Sequence, residues 1–161
     1  GVALALLLNH VVLAPGQALA VPAGTVHAYL SGVGVEVMAS SDNVLRGGLT
    51  SKHVDADEFL AVANWDEETP VLLDAHVDGS TTEFRADFPD CGLLEVTVEG
   101  HIDLPVNGPA IALVIAGTVT VSATEPIELT PGRAVYVESG DRSLGLDGHG
   151  LVVVGHGVAS L

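Results

Sequence analysis

Two stretches of the chain carry one pattern. LAPGQALAVPAGTVHAYLSGVGVEV covers residues 13–37, and LTPGRAVYVESGDRSLGLDGHGLVV covers residues 129–153. At a constant offset of 116 residues, Leu13, Pro15, Gly16, Ala18, Val21 and Gly24 recur as Leu129, Pro131, Gly132, Ala134, Val137 and Gly140. Leu30, Gly32 and Gly34 recur as Leu146, Gly148 and Gly150. The shared positions are turn formers and apolar core formers. Proline fixes φ before a turn, and glycine admits φ > 0 within it. A repeat of this kind calls for short strands and tight turns, and implies two related β-units in place of a helical bundle.

The rest of the chain reads the same way. Apolar residues make up 48% of the sequence, and 19 Gly and 8 Pro divide them into short runs. HVVLA, ALAVP and the segments near 26–30 and 34–39 read as strands, the last two joined through Ser31-Gly32-Val33 as a hairpin. VLLDAHV, TTEFRADF, LLEVTVEGHIDL, AIALVIAGTVTVSA, IELTP, AVYVE, SLGLD and GLVVVGH follow as further strands. Residues 2–8 fit a helix end or a strand equally well. DADEFLAVANW is the convincing helix: Asp55 serves as N-cap, acidic residues fill the first turn, and Phe59, Leu60 and Val62 supply an apolar side. DEETP marks a boundary, which divides the chain into residues 1–67 and 68–161.

Charge removes several functions. Five Lys/Arg stand against 21 Asp/Glu, a net charge of −16. Such a surface repels nucleic acid and anionic lipid, so neither is an expected partner. A single cysteine, Cys91, forbids an internal disulfide and suits a reducing compartment, so a cytoplasmic location is expected. No apolar run reaches the ~20 residues of a membrane helix. GVALALLLNHVVLA comes nearest, but Asn9 and His10 interrupt it, and it lacks the basic start of a signal peptide. The chain opens on Gly1 within an apolar segment, as a cut from a longer protein would.

Chemistry concentrates between residues 26 and 53. Alternation along a strand puts His27 and Tyr29 on one face, with Val26, Ala28 and Leu30 behind. A two-residue turn at Ser31-Gly32 sets His27 opposite Glu36, and one at Gly32-Val33 sets Tyr29 opposite Glu36. Either register gathers all three on one surface, with Val35 and Val37 on the other. A histidine, a phenol and a carboxylate together suit metal binding and proton transfer. One histidine does not make a zinc site, which needs three or four ligands. Glu36 is a second candidate, and His10 and His53 are remote ones. In ASSDNVLRGGLTSKH, Arg46 and Lys52 form a local cationic pair in an acidic chain, a candidate anion site. Gly47 and Gly48 allow close backbone approach, Asp42 is placed to orient Arg46, and Asn43 to stabilise the turn. His76, His101, His149 and His156 stand singly and read as structural. Cys91 has no basic neighbour in sequence, so no nucleophilic role is supported.

Residues 5–65 resemble the signature segment of the type I phosphomannose isomerases, zinc enzymes of the cupin superfamily. The likeness rests on LAPGQALAVPAGTVHAYLSGVGVEVMASSDNVLRGGLTSKHVD. Residues 80–156 fit the family's C-terminal cupin-like domain in outline only. The resemblance implies a mainly β fold of cupin-like, jelly-roll barrel units with one or two short helices. Residues 1–67 would be the C-terminal half of a catalytic cupin, and 68–161 a C-terminal cupin-like domain.

The same resemblance implies roles. His27 matches the family's last zinc ligand, and Arg46 its catalytic arginine. Tyr29, Glu36, Asp42 and Lys52 match residues that line the pocket: Tyr29 and Glu36 for catalysis, Asp42 and Lys52 for substrate binding. The implied reaction interconverts mannose 6-phosphate and fructose 6-phosphate through a zinc-assisted enediol, so the implied partner is a hexose 6-phosphate. The family's other zinc ligands, a Gln-x-His pair and a glutamate, lie in an N-terminal part that has no counterpart here. The chain alone is therefore expected to be inactive. A non-catalytic cupin-like module that binds sugar phosphate or protein is the alternative, and strand edges exposed by half a barrel would open a route to self-association. A dioxygenase-type cupin fits poorly, because the usual histidine pair is missing.

Overall fold

The computed structural model describes residues 2–41, 43–66, 69–87, 91–106, 108–123, 125–138, 140 and 143–157. It is mainly β, in agreement with the sequence, and contains two short helices among the described residues. By contact it divides into Gly1–Gly34 with Ser40–Leu73, and Val35–Ala39 with Asp74–Leu161.

The first unit holds helix α1 (Val2–Ala5), strand β1 (Leu19–Ala20), helix α2 (Ala56–Val62) and strand β2 (Val71–Leu72). The β1 and β2 strands pair antiparallel, Leu19 opposite Leu72 and Ala20 opposite Val71. No described residue of this unit is buried. The strands expected at 10–14, 26–30 and 34–39 do not form, and the hairpin through Ser31-Gly32 is replaced by chain outside any strand ladder, with a bend at that point. The physical reason is burial. A lone two-stranded hairpin is marginal in water, and Leu30, Val33 and Met38 are exposed along this segment.

The second unit holds β3 (Ala75–Asp78), β4 (Thr81–Phe84), β5 (Cys91–Pro105), β6 (Ala110–Ser122), β7 (Pro126–Leu129), β8 (Ala134–Val137) and β9 (Ser143–Gly157). They form one antiparallel sheet in the order β3-β4-β5-β9-β6-β7, with β8 beside β7 on the outer edge of β6. Alternation does the sorting. In β5, Val96, Val98 and Leu104 are buried while Thr97, Glu99 and Asp103 are exposed. Val106, Ala110, Ala112, Val114, Val119, Val121, Leu129, Val137, Leu144, Leu146, Val152 and Val154 complete the core. Each such Val or Leu side chain contributes about 1.5–3 kcal/mol by leaving water.

The sequence divides SLGLD from GLVVVGH at a glycine-rich turn, but the structure runs both through one strand. Gly148 has φ +131°, Gly100 beside it in β5 has +100°, and Gly117 in β6 has +78°. Gly100 pairs with Gly148, and Gly117 with Gly150. Each of the three longest strands thus carries a positive-φ glycine, those of β5 and β9 in one row and that of β6 two residues along, near a bulge between Val114 and Ala116. A Cβ on Gly117 would run into the His149 carbonyl, and one on Gly148 into the Thr118 carbonyl.

The Pro-Gly turns of the repeat do match. Gln17 N–H donates to Ala14 O at 3.1 Å, and Arg133 N–H to Thr130 O at 3.0 Å. Gly16 and Gly132 have φ +78° and +82°, as a type II turn requires at its third position.

These two uses of glycine differ in cost when a side chain is added. Gly117→Ala should lower unfolding stability by about 2–4 kcal/mol, through positive φ and backbone collision. Gly16→Ala, which faces open space, should cost only about 1 kcal/mol. Urea unfolding of the two variants checks this, and equal losses would contradict it.

Candidate functional site

The segments carrying His27 and Arg46 belong to the first unit, and helix α2 touches both flanks. Asp55 caps the helix by accepting a hydrogen bond from Glu58 N–H at 3.0 Å, and Asp57 and Glu58 occupy the first turn. The expected N-cap therefore forms. At the other end, Ala63 N–H donates to Phe59 O at 3.0 Å and Asn64 N–H donates to Gly24 O at 2.9 Å. Gly24 lies in the turn closed by Thr25 N–H to Pro22 O at 3.2 Å, immediately before His27.

From that turn His27 takes its orientation. Its Nδ1 lies 3.0 Å from Thr25 O, so Nδ1–H donates to the carbonyl and the neutral ring keeps its lone pair on Nε2. Metal-binding histidines are commonly fixed by such a bond. The Tyr29 ring meets His27 edge-on, with centroids 5.9 Å apart and planes at 72°. Both side chains are exposed, Tyr29 by 76%.

Arg46 is half-buried, and its guanidinium donates to Val44 O at 3.4 Å. Among the described residues neither Arg46 nor Lys52 makes an ion pair. Lys52 is exposed, and its backbone N–H donates to Thr50 Oγ1 at 3.1 Å. Asn43 Oδ1 accepts from the Ser41 hydroxyl at 2.8 Å. Asp42 lies outside the described residues.

Glu36 falls in Val35–Ala39, a segment that clusters with the second unit. It is exposed, and its neighbour Val37 packs against Gly155 of β9. The common face expected for His27, Tyr29 and Glu36 depended on a hairpin ladder, and there is none. The second copy of the repeat shows why. Residues 143–153, the counterparts of 27–37, form one strand with Leu144, Leu146 and Val152 buried and Ser143 exposed. There the counterpart of Glu36 faces the core, and the counterpart of His27 faces away.

Among the described residues no three His, Cys, Asp or Glu side chains converge as a metal site. No helix of the described residues is long and apolar enough to cross a membrane.

Sequence reasoning read His101 as standing alone, but the β5–β9 register sets it opposite Asp147. His101 Nδ1 lies 2.8 Å from Asp147 Oδ1, and Nε2 lies 3.3 Å from Asp103 Oδ2. The bond to Asp147, then that to Asp103, raises the pKa of this exposed imidazole above its usual 6.5. Asp103 lies two residues along the same strand, but Asp147 is 46 residues away, beyond the reach of sequence pattern.

No protein-family model matches the chain. It is 33% identical over 149 residues to the mannose-6-phosphate isomerase of Escherichia coli, covering 90% of this chain and 38% of that protein. It is 38% identical over 127 residues to mannose-6-phosphate isomerase 2 of Arabidopsis thaliana, covering 73% of this chain and 27% of that one. Among solved structures, a variant of the phosphomannose isomerase of Salmonella typhimurium superposes with a TM-score of 0.64 at 21% identity, over 75% of this chain and 33% of that chain. The Salmonella typhimurium enzyme bound to fructose 6-phosphate and zinc superposes with a TM-score of 0.63, over 76% and 32%. Over about three quarters of its length the chain shares the fold of these solved structures. The sequence matches make the chain a homologue of the mannose-6-phosphate isomerases along most of its length, and it spans under two fifths of the bacterial relatives.

The raised pKa of His101 gives a pH prediction. The folded state gains stability from the imidazolium below the unfolded value near 6.5, and loses it as pH rises through the higher folded value. An NMR titration should place His101 above the usual 6.5, and Asp147→Asn should bring it down. A titration unchanged by that substitution would contradict the assignment.

Proposed function

We propose that this chain, which belongs with the mannose-6-phosphate isomerases by sequence, is the portion of such an enzyme that carries one zinc ligand and the catalytic arginine. On this reading residues 1–67 are the C-terminal half of a catalytic cupin, and 68–161 a C-terminal cupin-like domain. The parent enzyme works in the cytoplasm on a hexose 6-phosphate. The remaining zinc ligands belong to polypeptide outside these 161 residues.

The observation that carries the reading is the Nδ1–H bond from His27 to Thr25 O at 3.0 Å. It fixes the ring in the tautomer whose Nε2 lone pair suits a metal, so the residue fits one zinc position. Zinc bound there supplies Lewis acidity toward the sugar oxygens. Arg46, always cationic, stabilises the negative charge that develops on those oxygens as the C2 proton of the aldose is removed. Glu36 or Tyr29 takes that proton and returns one to C1, while the hydroxyl proton shifts from O2 to O1, so aldose becomes ketose without net gain or loss. Lys52 and Asp42 bind the substrate, the Lys52 ammonium suiting its phosphate.

A coupled assay of mannose 6-phosphate isomerisation tests this. The 161-residue chain alone should give no turnover. The complete polypeptide should give metal-dependent turnover, and Arg46→Ala within it should lower kcat by about 100- to 1,000-fold. Turnover by the chain alone would overturn the partial site. No turnover by the complete polypeptide would overturn the isomerase reading, and metal-free binding of sugar phosphate lost on Arg46→Ala would put a binding module in its place.

A further inference from the structure

We infer that Phe59 positions the Arg46 loop, by seating its ring on the backbone of Gly47. This rests on the reading of Arg46 as the catalytic arginine, and adds a residue that the reading does not contain. A Cβ placed on Gly47 would lie 2.6 Å from Phe59 Cζ and 3.0 and 3.1 Å from the two Cε atoms. No real Cβ tolerates that approach, so the ring occupies the space a side chain at 47 would need. Gly47 itself has no positive φ. A side chain at 47 would have to displace the phenyl ring or the loop.

The loop needs such a restraint. Gly48 has φ +127°, and Leu49, a branched residue, has φ +58°. A non-glycine residue in that region costs about 1–3 kcal/mol and persists only where surrounding contacts impose it. The ring that supplies the contact is itself held. Trp65 meets Phe59 edge-on, with centroids 6.1 Å apart and planes at 77°, and its indole N–H donates to Leu60 O at 3.2 Å. The α2 helix is tied in turn to the His27 turn through Asn64 N–H and Gly24 O, 2.9 Å apart. One short helix therefore holds the backbone beside both residues. Phe59 acts through Gly47 and is a positioning residue, not a catalytic one.

Gly47→Ala, Phe59→Leu and the double variant, made in the complete polypeptide, test this. Gly47→Ala pushes the loop off the ring and should lower kcat by about 10-fold with KM changed less than about twofold, as small misplacements of catalytic groups do. Phe59→Leu should lower kcat by a smaller factor. The double variant, in which the alanine methyl enters the space the ring vacates, should recover kcat to within about twofold of the parent, a non-additivity expected only of residues in contact. Amide exchange at residues 46–49 should accelerate in each single variant and slow again in the double. Unchanged kcat and exchange in Gly47→Ala, or a double variant no better than Gly47→Ala, would overturn the positioning role. A parent that shows the exchange pattern but no isomerase activity would overturn the isomerase reading while leaving the Phe59–Gly47 contact standing.

Discussion

Strand β9 is hydrogen-bonded on both flanks, to β5 from Ser143 to Gly157 and to β6 from Gly145 to His156. The rest of the second unit hangs on it. With β9 central, β4 and β3 extend the sheet on one side and β7 and β8 on the other. The inward rows of these strands bring Val96, Val114, Val152 and Leu146 into one cluster. The strands run 13 or 15 residues, well beyond the usual five or six. Each carries a glycine whose backbone takes a φ that side chains resist, Gly100 opposite Gly148 and Gly117 two residues along.

The first unit is stabilised differently. None of its described residues is buried, so area removed from water contributes little there. Local bonds hold it instead: Pro-Gly and Pro-x-Gly turns, a capped helix, a two-residue ladder and the Phe59 ring on Gly47. His27, Tyr29 and Arg46 stand among these local anchors. Contacts of this kind fix an individual group well while leaving the assembly of several groups to surfaces that the unit does not supply itself.

How far this was legible in the sequence depended on the range of the interaction. The α2 helix was readable from Asp55 and its acidic first turn, because capping is local. The strands of the second unit were readable from alternation, since one face had to be buried. The segment 26–39 was misread because a glycine with positive φ serves both a hairpin turn and a bent continuous strand. Only the pairing partners distinguish the two, and these lie far along the chain. Gly148 takes the second role within β9, and Gly32, its counterpart with φ +103°, sits in a bend outside any strand ladder. The His101–Asp147 pair needed the strand register, and the Phe59–Gly47 contact needed the approach of a helix to a loop; neither leaves a periodic trace.

A crystal of the complete polypeptide grown with zinc and a hexose 6-phosphate, with anomalous data at the zinc edge, tests the central claim most directly. The expected result is a zinc peak about 2.0–2.1 Å from His27 Nε2, with the Arg46 guanidinium about 3 Å from an oxygen of the sugar. A zinc bound elsewhere, or a His27 ring whose Nε2 points away from the metal, would contradict it.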